Sequence, residues 1–307
     1  MNIASIVVTY NRKYLLLRCI KAIAEQSHIP EAIFIIDNNS TDGTYNTLAE
    51  NEVVNERGVY KNIKIEYVKL PKNGGGSLGF HEGLKRAHET GKYDAFWVMD
   101  DDGAPNKDCL KELIPYLKQA DYISPLVVDI DNHDHMAFKD SSLKEFIALN
   151  SKDGETIKNA ANPFNGLLFS KRYLDNVGYP KPEMFIWGDE INYDLRGRQH
   201  NMPPIMLCKA IHYHPRNRAQ HSKPFFFNRK KVIFVDCKWK MYCRCCNAIY
   251  NYKLVGHYLQ IIKEFFLYNW LFIITMHSWK WVNLFNKAFF NGLRGKFGGH
   301  YKYMNKN

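Results

Sequence analysis

Acidic residues almost vanish from the last third of this chain. Between residues 200 and 307 only Asp236 and Glu264 stand against 18 Lys and Arg, a balance of +16. The formal charge of all 307 residues is +11, so residues 1–199 carry a slight excess of acid, 29 Asp and Glu against 24 Lys and Arg. A run long enough to cross a bilayer is also missing. The stretch from Phe265 to Trp279 is uncharged but too short to span, and it holds Asn269, His277 and Ser278. No leader of signal-peptide type precedes the first apolar run, and no internal repeat is apparent. The seven cysteines, three of them in Cys243-Arg244-Cys245-Cys246, form no Cys-x2-Cys pair set. A zinc ribbon and a secreted disulfide scaffold are therefore disfavoured, and reduced thiols in a cytoplasmic protein are the plain reading.

What the chain does have begins at Ala95-Phe96-Trp97-Val98-Met99, an apolar run followed directly by Asp100-Asp101-Asp102. Such a run reads as a buried strand, and an open α/β sheet places ligands at strand ends. Three adjacent carboxylates repel one another there, and a divalent cation relieves the repulsion. Hard oxygen ligands suit Mg²⁺ or Mn²⁺, which commonly also hold a substrate's phosphates. The blander reading is a solvated turn, since Gly103 and Pro105 follow. Further strands are expected at Ile3–Thr9, Ala32–Ile36 and Ile63–Val68, with helices from Tyr14 to about Gln26 and near His81–Glu89. Tyr10-Asn11-Arg12, Asp37-Asn38-Asn39-Ser40 and Asn73-Gly74-Gly75-Gly76 follow the strands, so the loops at their carboxyl ends are polar or acidic. Alternation of strand and helix predicts a parallel, doubly wound sheet with one nucleotide-sized site.

Four segments in order over about the first 105 residues, "SIVVTYNR", "IIDNNSTDGT", "NGGGSLGF" and "WVMDDDG", resemble the inverting family 2 glycosyltransferases. The likeness is to their galactofuranosyltransferase branch, with rhamnosyltransferases sharing much of the pattern. It implies a GT-A nucleotide-diphospho-sugar transferase fold, α/β and Rossmann-like, with a mostly parallel sheet flanked by helices and a C-terminal helical extension. It implies that Thr9 and Arg12 lie beside the nucleotide and that Asp37 hydrogen-bonds uracil or ribose. Asn73, Gly74, Gly75 and Gly76 let the backbone approach the donor. Asp100 and Asp102 bracket metal and diphosphate, and Asp101 faces the donor sugar or ribose.

Further along, Asn165-Gly166-Leu167-Leu168-Phe169 resembles the family's acceptor-side strand, and Phe185-Ile186-Trp187-Gly188-Asp189-Glu190 its general-base motif. The base falls on Glu190 by register, where the family usually has Asp, with Asp189 as the alternative. The pair reads otherwise as two carboxylates opening an exposed helix. His214, or else His212, matches the family's third metal ligand, and imidazole favours Mn²⁺ over Mg²⁺. Lys240 to Asn247 resembles a segment in which Tyr242, Arg244 and Asn247 hold the core to the C-terminal helices.

The resemblance implies a donor such as UDP-galactofuranose and a lipid-linked saccharide acceptor in cell-surface polysaccharide synthesis, O-antigen or capsule. A dTDP-rhamnose donor is the rival inside the class. A nucleotidyltransferase or a non-catalytic sugar-nucleotide-binding scaffold are rivals outside it. Domains are expected at 1–220, divided into a donor half (1–105) and an acceptor and base half (106–220), and at 221–307. The segment Asp129–Lys158 reads as an irregular insertion. The basic region is also aromatic, with Phe225-Phe226-Phe227, Phe265-Phe266, Trp270, Trp279 and Phe289-Phe290. That combination suits helices lying on an anionic membrane, so a peripheral place on the inner face of the plasma membrane is expected. A basic helical subdomain is the alternative, and a second copy of the chain is an allowed partner. No nucleic-acid recognition motif accompanies the basic surface.

Overall fold

The computed structural model describes residues 1–216, 222–225 and 230–304. Phe226 and Phe227 of the expected aromatic run, and the expected boundary at 220/221, lie outside them. The chain divides into two compact units, Met1–Pro180 with Arg196–Arg216, and Lys181–Leu195 with Asn217–Asn307. The segment carrying Asp189 and Glu190 thus groups with the C-terminal helices.

The first unit is built on one mixed sheet. Its elements are β1 (Ile3–Thr9), α1 (Lys13–Ala24), β2 (Ala32–Asp37), α2 (Thr44–Glu50), β3 (Val59–Tyr60), β4 (Ile63–Lys69), α3 (Gly75–Glu89), β5 (Ala95–Asp100), β6 (Ala104–Pro105) and α4 (Cys109–Leu113). There follow β7 (Tyr122–Asp129), α5 (Leu143–Asn150), β8 (Thr156–Lys158), β9 (Asn165–Ser170), α6 (Lys171–Val177), α7 (Asp189–Gln199) and β10 (Ile205–His214). The division between the units falls inside α7.

Sheet order is β3-β4-β2-β1-β5-β9-β7-β10-β6, with β8 on β10. β4, β2, β1 and β5 run parallel. β1 and β2 are buried along their whole length, as strands covered on both faces must be, which explains their unbroken apolar sequence. The chain steps from β1 outward to β4 and returns to β5 on the other side of β1. β1 and β5 therefore flank the point where strand order reverses, and open α/β sheets bind ligands in a crevice outside the carboxyl ends of strands at such a point.

Beyond β5 the mostly parallel sheet becomes mixed. β9 inserts antiparallel to both β5 and β7, while β7 and β10 pair parallel. A β-bulge at Val98/Met99 accompanies this switch, and Gly166 there adopts φ +76, a left-handed conformation that glycine takes without strain. The Trp97 indole donates to the Gly166 carbonyl (3.0 Å) and fixes the register in the core.

Two sequence expectations change. The glycine cluster is not wholly a loop, since α3 begins at Gly75. A Cβ at Gly79 would stand 2.4 Å from Val8 Cγ1, and one at Gly83 2.5 Å from Ile6 Cγ2, so these glycines let α3 lie close on the sheet. The stretch from Asp129 to Lys158 is structured rather than irregular. α5 opens with a reciprocal Ser142–Glu145 capping box, and β8 pairs Ile157 with Met206.

The second unit comprises Lys181–Leu195, a β11–β12 hairpin (Ser222–Phe225, Lys230–Ile233) and helices α8 (Lys238–Leu254), α9 (Tyr258–Trp270), α10 (Trp279–Arg294) and α11 (Tyr301–Met304). A five-residue π-helical segment, Leu271–Thr275, follows α9. Met241, Cys245, Ile249, Tyr268, Phe272, Leu284 and Phe285 form the heart of its core. Gly292 brings α10 against α8, since a Cβ there would meet the Cys246 carbonyl oxygen at 2.4 Å. All seven cysteines are free, and all but Cys237 are buried. Among the described residues no helix is long and apolar enough to cross a membrane.

Candidate active site

Thr9, Asp37 and Asp100 end adjacent strands in register, Thr9 opposite Asp37 and Val8 opposite Asp100. From there the three carboxylates diverge, because Asp100 ends β5 while Asp101 and Asp102 lie in the turn that follows it. Asp101 turns inward and is 2% exposed, accepting hydrogen bonds from Thr9 Oγ1 (2.6 Å) and Arg12 Nη1 (3.1 Å). Burial pushes its carboxyl up to about 6, against the pull of Arg12 and Thr9. Asp101 and Thr9 thus form an anchor beneath the site rather than a face open to a sugar.

Asp102 turns toward the crevice. Its Oδ2 accepts from Arg12 Nη1 (2.7 Å), its backbone carbonyl accepts from Arg18 Nη2 (2.7 Å), and its Oδ1 stands 3.1 Å from His214 Nε2. Burial works to raise the Asp102 carboxyl, but the His214 hydrogen bond and the Arg12 charge prevail and hold it below its usual range. His214 Nδ1 lies 2.7 Å from the Pro215 carbonyl, which orients the ring with Nε2 toward Asp102.

His212, two residues back on the same face of β10, lies deeper and fully buried. A Cβ at Gly103 would come 2.1 Å from its Nε2, and one at Gly166 2.9 Å from its Nδ1. Burial drives the ring down to about 3, so it is neutral. The glycine directly after the acidic triplet is thereby explained by a histidine more than a hundred residues away. Of the two histidines, it is His214 that meets Asp102.

A carboxylate oxygen and an imidazole nitrogen brought into contact suit Mn²⁺ or Mg²⁺ as a donor set. Asp100 does not complete a cage with them: among the described residues no three His, Cys, Asp or Glu side chains are placed to hold one ion. A cation held by these two side chains alone would have positions left for diphosphate oxygens and water.

The other expected donor-side residues are placed as follows. Asp37 is 1% exposed, and its carboxylate accepts from the Ser40 N–H (2.7 Å) and the Tyr67 hydroxyl, so it is engaged within the protein. The Asn73 side chain accepts from the Gly75 N–H (2.8 Å), and Asn38 Nδ2 donates to the Gly75 carbonyl (3.1 Å). Gly75 takes φ +77, and a Cβ at Gly74 would strike Leu78, so these two glycines shape the start of α3. A Cβ at Gly76 would meet only Phe80 Cε2, at 4.0 Å.

The Asp189–Glu190 pair opens α7 after a loop with unusual backbone angles, φ +68 at Phe185, +58 at Trp187 and +96 at Gly188. Left-handed conformations at bulky residues persist only where surroundings enforce them. Asn247 of α8 supplies the enforcement. Its amide nitrogen donates to the carbonyls of Met184 (2.9 Å), Ile186 (3.0 Å) and Trp187 (2.9 Å). Asn251, one turn on, donates to the Gly188 carbonyl (2.8 Å) and accepts from Asn192 (3.0 Å). Glu190 curls back so that Oε2 accepts the Gly188 N–H (3.0 Å), while Asp189 is buried. Asn251 and Asn192 were not singled out in the sequence. Arg244, grouped there with Asn247, instead lies 3.9 Å from Glu264 and over the Tyr268 ring, inside the helical unit.

The clamp makes a prediction. Asn247→Asp retains size but replaces a donor with an acceptor facing three carbonyls. It is expected to destabilise the protein by roughly 2–3 kcal/mol, more than Asn247→Ala, because buried acceptors would face a charge. Urea unfolding of the two variants measures this, and wild-type stability in Asn247→Asp would remove the clamp.

Comparison with known proteins agrees with this architecture. The family model described as "Glycosyl transferase family 2" matches residues 5–174. The chain is 26% identical over 312 residues to a protein named galactofuranosyltransferase GlfT1 of Mycobacterium tuberculosis (strain CDC 1551 / Oshkosh), covering 97% of each. Among solved structures it resembles S. aureus TarS 1-349 in complex with UDP-GlcNAc, at TM-score 0.56 and 14% identity, covering 95% of this chain and 81% of that one. It also resembles the mannosyltransferase PcManGT of Pyrobaculum calidifontis in complex with GDP-Man and Mn²⁺, at TM-score 0.56 and 14% identity, covering 83% and 64%. At such identities these two likenesses speak for the GT-A fold.

Proposed function

The chain belongs to glycosyl transferase family 2 and is a glycosyltransferase, and from that premise we propose that it transfers galactofuranose from UDP-galactofuranose, with inversion, to a lipid-linked saccharide. The product is a cell-surface polysaccharide such as O-antigen or capsule. The observation that carries the reading is the contact of Asp102 with His214 beside the reversal point of strand order, a donor set suited to a cation that holds a diphosphate. The choice of sugar is supported by the full-length likeness to a galactofuranosyltransferase.

Asp102 and His214 would hold Mn²⁺, or Mg²⁺, with Asp100 next to them on the donor side. Bound there, the ion would neutralise charge on the leaving diphosphate. Arg12, paired with Asp101 and Asp102, keeps a guanidinium at the same place, and Thr9 fixes Asp101 so that Arg12 is held. Glu190 removes the acceptor hydroxyl's proton as general base, with Asp189 the alternative. An inverting displacement requires one such base and forms no covalent intermediate. The enzyme works at the cytoplasmic face of the plasma membrane as a peripheral protein, a placement supported by the exposed aromatic and basic residues of its last helices.

The test is donor choice. Purified protein with Mn²⁺ is offered UDP-galactofuranose, UDP-galactopyranose and dTDP-rhamnose, and release of the nucleoside diphosphate is followed. Turnover is expected with the furanose alone. Preference for dTDP-rhamnose would replace the sugar while leaving the class intact.

A further inference from the structure

α9 carries an exposed apolar face. Leu259 (76% exposed), Ile262 (53%), Phe266 (68%) and Trp270 (41%) recur every three or four residues, and Ile273 and Ile274 continue the row. Spacing of this kind makes one stripe along a helix, and exposed stripes of this size mark interaction surfaces. Next to it runs the exposed side of α10, beginning at Trp279 (76%) and continuing through Lys287, Phe290 and Arg294 at helical spacing. Asn286 of α10 donates to Asn269 of α9 (2.9 Å), which sets the two surfaces side by side.

A cavity of about 480 Å³ opens on the α10 side, between that helix and α11. Lys287, Arg294 and Lys302 line it, with the rings of Phe290 and Tyr303. At its wall, Asn291 donates to the Tyr242 hydroxyl (2.5 Å), and burial drives that phenol up to about 12, so the hydroxyl keeps its proton. Gly299 also lines the cavity, and a Cβ there would overlap the Tyr242 hydroxyl at 2.0 Å. No acid is among the described residues that line the cavity, and Glu264, the one acidic residue between 238 and 304, is buried. Three cationic side chains around a hydroxyl and an amide suit a phosphate, and aromatic walls suit the apolar chain next to one.

We infer that this cavity binds the phosphate of an anionic lipid headgroup while the α9 stripe lies in the lipid surface. The inference rests on the proposed peripheral placement at a membrane and adds to it a discrete site. Charge complementarity selects the occupant, since a lipid surface offers anionic phosphate and apolar depth together, as this face requires.

The full chain is sedimented with vesicles of phosphatidylcholine alone or mixed with phosphatidylglycerol. Lys287→Gln/Arg294→Gln/Lys302→Gln is compared with Lys253→Gln/Lys263→Gln/Lys296→Gln, which loses the same charge outside the cavity. Wild type is expected to bind the anionic vesicles, and the cavity variant to lose about tenfold more affinity than the control. Phe266→Asp should remove the part of binding that survives high salt. Equal losses in the two triple variants would overturn the headgroup site and leave the membrane placement standing. Failure of wild type to bind either vesicle would overturn both. Titration with glycerol 3-phosphate and inorganic phosphate separates the sources: binding of either as tight as vesicle binding would assign the cavity to a soluble phosphate instead. A dimer in solution that Phe266→Asp dissociates would give the stripe to a second copy and overturn the lipid assignment.

Discussion

Asp102→Ala and His214→Ala are each expected to lower transfer by about 10²-fold or more, and excess chelator to abolish it until Mn²⁺ is restored. The magnitude follows from the chemistry a divalent cation supplies at a diphosphate, several kcal/mol of charge stabilisation, with each ~1.4 kcal/mol a factor of ten. Folding should survive both changes. Asp102 lies at a loop rather than in the apolar core, and Arg12 retains Asp101 when it is removed. His214 ends its strand, and replacing it leaves the buried His212 undisturbed. Initial rates with and without chelator, alongside thermal unfolding of each variant, provide the measurement. Undiminished transfer in excess chelator would remove the metal, and with it the role assigned to Asp102 and His214. His212→Ala offers a contrast. It empties a fully buried site between Gly103 and Gly166, so its effect should appear in stability at least as strongly as in rate.

The sequence made the strands of the donor half legible because parallel strands buried on both faces read as continuous apolar runs. The parallel direction expected from alternation holds for β4, β2, β1 and β5, and β9 enters antiparallel beyond them, which alternation does not signal. The glycine cluster read as a loop because glycine disfavours helix. Packing of Gly79 and Gly83 against Val8 and Ile6 overrides that preference, and α3 starts within the cluster. α5 had a signal that could have found it, the Ser-x-x-Glu spacing of Ser142 and Glu145. For the site, the structure brings one member of the acidic triplet and one of the histidine pair into contact, but composition does not say which of three consecutive carboxylates faces inward. Only the positions of Thr9 and Arg12 turn Asp101 into an anchor and leave Asp102 toward the crevice. The Asn247 clamp joins residues about sixty positions apart, and such pairings have no periodicity to betray them.

Glu190→Gln is expected to reduce turnover by about 10²–10⁴-fold, the loss typical of removing a general base, with donor affinity little changed. Glutamine preserves length and can still accept the Gly188 N–H that Glu190 now receives at 3.0 Å, so the start of α7 should hold its shape. What it lacks is the lone pair basic enough to take the acceptor's proton. Asp189→Asn asks the complementary question. Asp189 is 4% exposed at the opening of the same helix, and its replacement should show first as a change in stability. Single-turnover rates with saturating donor separate the two, because a lost base slows the chemical step and a loosened loop weakens acceptor binding. A near wild-type Glu190→Gln with an inactive Asp189→Asn would move the base by one residue. Activity in both variants would place it on a side chain outside this pair.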